Sequence, residues 1–271
     1  MNQISTCIKE RRSVRTFDNR IPDTDVLDRL FDFASAITNP YDIPVSFKLL
    51  HAGKDGLSCP VVTGTDLYVG GKIKNGTNAC VAFGYSFERF VLFAQSLGLG
   101  TVWLGGTMNR SAFENAMDLC ADEMMPCATP IGYPAKKMSV RETMMRKAIK
   151  AEERLPFEAL FFRGSFAVPL AKEQSEPISE ALELVRLSPS AVNKQPWRAV
   201  VTENAVHFYL RRSKGMGHDS MLDMQKIDMG IALCHFALAA ENLGLTITFD
   251  ADNPCLTQEP GMEYIASYII G

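Results

Sequence analysis

Residues 227–245, IDMGIALCHFALAAENLGL, overlay residues 76–99, GTNACVAFGYSFERFVLFAQSLGL, with Gly244 on Gly98 at an offset of 146. The earlier stretch has few charges from Ala79 to Leu97 and suits a helix buried on most sides. Gly98 supplies its stop. A second pair follows in the same order: LELVRLSPSAVNKQPWRAVV (182–201) overlays FDFASAITNPYDIPVSFKLL (31–50), with Pro196 on Pro44 at an offset of 152. FFRGSF (161–166) faintly echoes RSVRTF (12–17), with Phe166 on Phe17. Shared order and a nearly constant offset read as an internal duplication. The expected division is a first half over 1–163 and a shorter second half over 164–271, together one compact unit.

Composition sets the bounds. A chain of 271 residues with 46% apolar and 22% charged residues is an ordinary globular composition. At this length folding buries roughly 75% of the unfolded surface, so the core needs no staples. A net charge of −3 gives no electrostatic footprint for nucleic acid. The most apolar segment, Ile231 to Ala240, is short of the roughly 20 residues a bilayer demands, and His235 interrupts it. MNQISTCIKERRSVR has no apolar core of a secretory signal, so a cytoplasmic protein is expected, without membrane or nucleic-acid partners. Seven cysteines (7, 59, 80, 120, 127, 234, 255) make no CxxC, and four histidines (51, 207, 218, 235) make no HExxH. Neither a disulfide framework nor a metal site is expected.

Along the chain, residues 2–10 make a short helix with Ile4, Cys7 and Ile8 on one face, and RRSVRTF leaves it extended. Pro22 and Asp23 start a helix with the stripe Val26, Leu27, Leu30, Phe31 and Ala34. Two prolines make 39–47 a loop before the strand FKLLHA. SAFENAMDLC reads as an amphipathic helix and CATPIGYPA as a strand, with 140–163 a charged surface or crossover segment.

Three elements carry chemistry. Arg11, Arg12, Ser13 and Arg15 put three guanidiniums and a hydroxyl within five residues, which suits a phosphate monoester; a basic helix end is the other reading. SPSAVNKQPW (188–197) offers Ser190, Asn193 and Gln195 on a loop fixed by two prolines, suited to the edge of a planar heterocycle or to a plain turn into RAVVT. GLGTVWLGG (98–106) lets backbone N–H groups approach a flat ligand, or is a helix cap running into a loop. It is not the dinucleotide fingerprint, because Trp103 stands where GxGxxG needs glycine.

Together these motifs resemble the nitroreductase family of FMN-dependent oxidoreductases, in which an R-x-S-x-R run, a P-S-x-x-N-x-Q-P-W loop and a G-L-G-x-x-W-x-G-G segment follow in that order; here the glycine-rich segment comes before the loop. IGYP at 131–134 and ERLPFEALF at 153–161 extend the resemblance. It implies the α+β nitroreductase fold, here as two fused half-domains, each a mainly antiparallel sheet flanked by helices. It also implies FMN held at its phosphate and ribityl chain by Arg11, Arg12, Ser13 and Arg15, with Arg154 pairing the phosphate. Backbone N–H groups of Leu104, Gly105 and Gly106 would meet the flavin N5 and O4, and Pro189, Ser190, Ala191, Asn193 and Gln195 would line the ring and ribityl. Glu152 stands where a second basic residue is common.

The motifs are lost in a complementary way. The arginine run and GLGTVWLGG are intact only in the first half, PSAVNKQPW only in the second. Ile37, Thr38, Tyr41 and Ile43 replace Pro, Ser, Asn and Gln, and GLTITFDAD replaces GLGTVWLGG. A fused pseudo-dimer can lose one site and keep the other, so a monomer with one FMN is expected. The resemblance implies ping-pong transfer from NAD(P)H through FMN to a nitroaromatic, quinone or enone, with no side chain acting as a dedicated acid or base. The alternatives are a flavin-binding regulator or store without turnover, and another FMN chemistry such as dehalogenation or flavin fragmentation.

Overall fold

The computed structural model describes residues 3–213, 222–256 and 259–271, so Asn2 of the first expected helix and His218 lie outside the described residues. In chain order the elements are α1 (Gln3–Glu10), α2 (Thr24–Ser35), β1 (Val45–His51), α3 (Ala52–Asp55), β2 (Leu67–Lys74), α4 (Ala79–Ser96), α5 (Arg110–Ala116), β3 (Glu123–Met124), β4 (Ala128–Pro130) and α6 (Val140–Ala148). There follow β5 (Phe161–Arg163), α7 (Ser179–Arg186), β6 (Trp197–Val201), β7 (Ala205–Arg211), α8 (Met224–Asn242), β8 (Ile247–Asp250) and β9 (Met262–Ile270). The fold is α+β, with two compact units.

The first unit is Glu10–Ala151. β1 pairs antiparallel with β2, from Val45 opposite Ile73 to His51 opposite Leu67, and β3 and β4 pair with the other edge of β2. Aromatic packing fastens α4 to this sheet: Phe47 lies 5.0 Å from Phe90 and 5.9 Å from Phe87. Phe33 of α2 stacks on Phe93 at 4.0 Å. α4 is mostly apolar, and 14 of its 18 residues are buried. Tyr68, Leu50, Phe113 and Met117 belong to a separate core cluster of the same unit.

The second unit joins Glu152–Gly271 to Met1–Lys9. Its sheet runs β5-β6-β7-β9-β8, antiparallel except for β5 against β6. α8 packs its Phe236 on Phe208 at 5.5 Å and on Tyr268 at 5.3 Å.

The two units repeat the order helix, antiparallel hairpin, long helix, strand. Their long helices end in the same cap, bond for bond. Gly98 N–H donates to Gln95 O and Leu99 N–H to Ala94 O, while Gly244 N–H donates to Glu241 O and Leu245 N–H to Ala240 O, all at 3.0 Å. Both glycines are left-handed, with φ of 76° and 73°. This is a Schellman closure, in which glycine avoids the Cβ penalty of positive φ.

Three expectations change. The units divide at 9/10 and 151/152 rather than at 163/164, because α1 and residues 152–163 make their contacts with the second unit. β5 supplies part of the reason: Phe161 and Phe162 sit in register with Ala199 and Val200 as an outer parallel strand. FFRGSF is therefore no structural counterpart of RSVRTF, whose Ser13, Thr16 and Phe17 make only isolated bridges to Thr101, Thr63 and Pro134. CATPIGYPA, finally, is a strand only over Ala128–Pro130.

Candidate functional site

Past α1 the arginine run is drawn out straight. Val14 N–H donates to Thr101 O at 2.8 Å and Phe17 N–H to Thr63 O at 2.8 Å. The approach is close at Gly100, where a Cβ would lie 2.9 Å from Val14 Cβ. The lack of a Cβ at Gly100 thus lets the run lie against 98–106.

Each arginine has its own surroundings. Arg11 is almost wholly buried, with Nε 3.8 Å from Oε1 of the fully buried Glu88, whose Oε2 accepts from Trp103 Nε1 at 3.0 Å. Burial pulls the Arg11 pKa down, Glu88 opposes that, and Arg146 adds to it. Arg12 is partly exposed, with Nη1 3.5 Å from Oε1 of buried Glu142. Arg15 is buried; its pKa is lowered by desolvation, raised by Glu142 and lowered again by Arg146. A guanidinium stays protonated regardless, so the lowered values mean that burial costs these cations more than the nearby carboxylates return.

The three guanidiniums of the run face two carboxylates, Glu88 and Glu142, and the cluster is net cationic. Four of its buried nitrogens, Arg11 Nη1, Arg12 Nη1, Arg15 Nε and Arg15 Nη1, make no hydrogen bond. Buried charged donors without acceptors are costly, and the oxygens of a phosphate monoester would satisfy both the count and the sign. The donor set fits the phosphate end of FMN.

Of the 104–106 segment, Leu104 does not do what was expected. Its N–H donates to Ala128 O at 2.8 Å and its carbonyl accepts from Ala128 N–H at 3.0 Å, so the group is consumed by pairing. Gly105 O accepts from Arg110 Nη2 at 2.6 Å, and around Gly106 the space is open.

In the second unit the loop before β6 gathers the other expected residues. Ser190 Oγ accepts from Gln195 N–H at 2.8 Å, and Ala191 N–H donates to Asp228 Oδ1 at 2.9 Å. Asn193 Nδ2 donates to Glu153 O at 3.0 Å, and Gln195 Oε1 accepts from Leu155 N–H at 2.9 Å. Arg154, expected at a phosphate, donates to Asn193 Oδ1 at 3.4 Å and to Leu187 O at 3.3 Å, and so ties its own segment to the loop. Pro189 leads into this loop. The structure thus assembles Arg11, Arg12, Ser13 and Arg15 in the first unit, and Arg154, Ser190, Ala191, Asn193 and Gln195 in the second.

Several residues went unnoticed in the sequence. Glu88 and Asp228 are carboxylates within largely apolar helices, a visible signal; the residues that the overlay sets against them, Cys234 and Ala82, are uncharged. Glu142 follows Ser139 at capping-box spacing, and Ser139 Oγ does accept from Glu142 N–H at 3.1 Å. Nothing in the sequence marks Thr16 as their partner. Among the described residues no group of three His, Cys, Asp or Glu could hold a metal, and no helix is long and apolar enough to cross a membrane.

Residues 3–240 match the family described as "Putative TM nitroreductase". A structure described as a "putative nitroreductase" from Thermotoga maritima msb8 covers 100% of this chain and 93% of its own, at 22% identity and a TM-score of 0.62, which shows a shared fold. A nitroreductase family protein from Clostridium novyi NT covers 50% of this chain and 87% of its own, at 18% identity and a TM-score of 0.43. An FMN-dependent nitroreductase from Clostridium difficile R20291 covers 52% and 94%, at 15% identity and a TM-score of 0.42. None of the curated proteins compared matches the chain.

Proposed function

The chain belongs to the nitroreductase family, and from that premise we propose that it is an FMN-dependent oxidoreductase with NAD(P)H as donor. The observation that carries this reading is the net-cationic arginine cluster, with four buried guanidinium nitrogens lacking hydrogen bonds. Arg12 and Arg15 hold the phosphate, with the Ser13 hydroxyl beside them, while Glu142 keeps both forks oriented. Arg11 is committed mainly to Glu88 and adds to the cationic field. When bound, FMN supplies two-electron transfer between a nicotinamide nucleotide and a small nitroaromatic, quinone or enone acceptor.

We assign the N–H groups of Gly105 and Gly106 and the loop residues Pro189, Ser190, Ala191, Asn193 and Gln195 to the ring and ribityl chain, and Arg154 to bracing that loop. The protein's own part is binding and orientation, and no side chain is needed as a proton donor or acceptor. We place the protein in the cytoplasm, where seven free thiols, five of them buried, stay reduced. We take it to work as a monomer with one flavin.

The deciding experiment is the visible spectrum and released-flavin stoichiometry after incubation with FMN, then anaerobic addition of NADH or NADPH. One FMN per chain, bleached by either nucleotide, is expected. Binding without bleaching would make the protein a flavin carrier or sensor, and no binding would overturn the reading. In the same assay Arg15→Ala should weaken FMN about 10- to 100-fold, since a charged hydrogen bond contributes roughly 1.5–3 kcal/mol. Unchanged affinity would remove Arg15 from the phosphate site.

A further inference from the structure

The loop 189–195 is held in a backbone shape that its own residues disfavour. Val192 (φ 44°), Asn193 (φ 58°) and Gln195 (φ 50°) are all left-handed, and none is glycine. Val192 is β-branched, the least suited type for this region, and its side chain is exposed, so no packing of its own compensates. Strain of this kind persists only where the surroundings over-determine the conformation. Here they do so at both ends. At the exit, buried Arg198 donates through Nη1 to Gln195 O at 3.0 Å. At the entry, Asp228 Oδ1 accepts from Ala191 N–H at 2.9 Å.

We propose that Asp228 is a positioning residue: by holding the Ala191 N–H it fixes the left-handed run that follows and so pre-shapes the loop for its ligand. The assignment of that ligand as FMN rests on the function proposed above; the bracing does not. Asp228 sits on α8, 3% exposed, with no cation in ion-pair range among the described residues. Burial pushes its carboxyl well above the usual carboxylate range, the Ala191 N–H partly opposes that, and Asp223 near the start of the helix raises it further. One oxygen accepts from Ala191, and Oδ2 makes no hydrogen bond within the protein. Asparagine can reproduce that acceptor; alanine cannot.

Amide hydrogen exchange on the flavin-free protein, with FMN affinity measured in parallel, tests this. Asp228→Ala should speed exchange at Asn193 and Gln195 at least 10-fold while β6 keeps wild-type protection, and should weaken FMN by a similar factor. Asp228→Asn should restore both. Should the alanine variant fail to fold, Asp228→Leu keeps a branched side chain at the buried position and deletes only the acceptor. That variant should behave as Asp228→Ala was expected to. Wild-type exchange in either variant overturns the proposal, and so does an asparagine variant as loose as the alanine one. A wild-type chain that binds no FMN would sink the flavin reading alone, since exchange still decides the bracing.

Discussion

Thr16 closes a circuit that fastens the arginine run to α6. Ser139 N–H donates to Thr16 Oγ1 at 3.1 Å, and Thr16 Oγ1 donates to Glu142 Oε2 at 2.8 Å. In a capping box the acidic side chain would reach back to the cap N–H itself; here a threonine one residue beyond Arg15 stands between them. Thr16→Val keeps the shape and deletes both bonds, leaving Glu142 Oε2 buried without this donor. The expected cost is about 1–3 kcal/mol in urea unfolding, together with weaker FMN binding. A valine variant of full stability would show that the circuit does not hold the run. Asp228 gives a pH prediction whose sign follows from its direction of shift. Its folded pKa lies above the unfolded one, so between them the native state binds more protons and stability falls as pH rises. The contribution is fully present at and below the ordinary aspartate range and is lost as pH climbs through the raised value. Melting of the wild type against Asp228→Asn from pH 5 to 9 should show the wild type losing ground. Parallel curves would mean the carboxyl is ionised throughout.

Gly100 shows how an element is placed by what it lacks. An added Cβ would lie 2.9 Å from both Cβ and Cγ1 of Val14, the residue between Ser13 and Arg15. Gly100→Ala should therefore push the run off the 98–106 segment, cost about 1–3 kcal/mol as overpacking does, and loosen FMN. Thermal unfolding and flavin titration read the two effects, and an alanine variant that binds FMN normally would uncouple this packing from the site. The glycine itself was legible in GLGTVWLGG, but its purpose was not, because contact with Val14 depends on pairing between Val14 and Thr101. The long helices and their stops were readable, since apolar length and a glycine at the end are local properties. β5 was not: three residues hold no periodicity, and their strand character comes from parallel pairing with β6. The same holds for Leu104, whose N–H is spent on Ala128, a partner 24 residues away.

The repeated local signals of the two units were legible, whereas the unit boundaries were not, because these follow where the chain makes contacts. α1 belongs to the second unit although it opens the chain. Its Cys7 and Ile8 are buried, Lys9 pairs with Glu180 of α7 at 3.2 Å, and Ser5 Oγ accepts from Asn242 Nδ2 at 3.5 Å at the end of α8. The ion pair is exposed and contributes little; the buried side chains contribute more, with fully burying a large apolar side chain worth about 1.5–3 kcal/mol. Deleting residues 1–9 should therefore loosen the second unit and spare the first. In hydrogen exchange, protection should fall along α7 and the last turn of α8, while β1, β2 and α2 keep theirs. Loss centred on β1 and β2 instead would place α1 with the first unit, and the division at 9/10 would have to be abandoned.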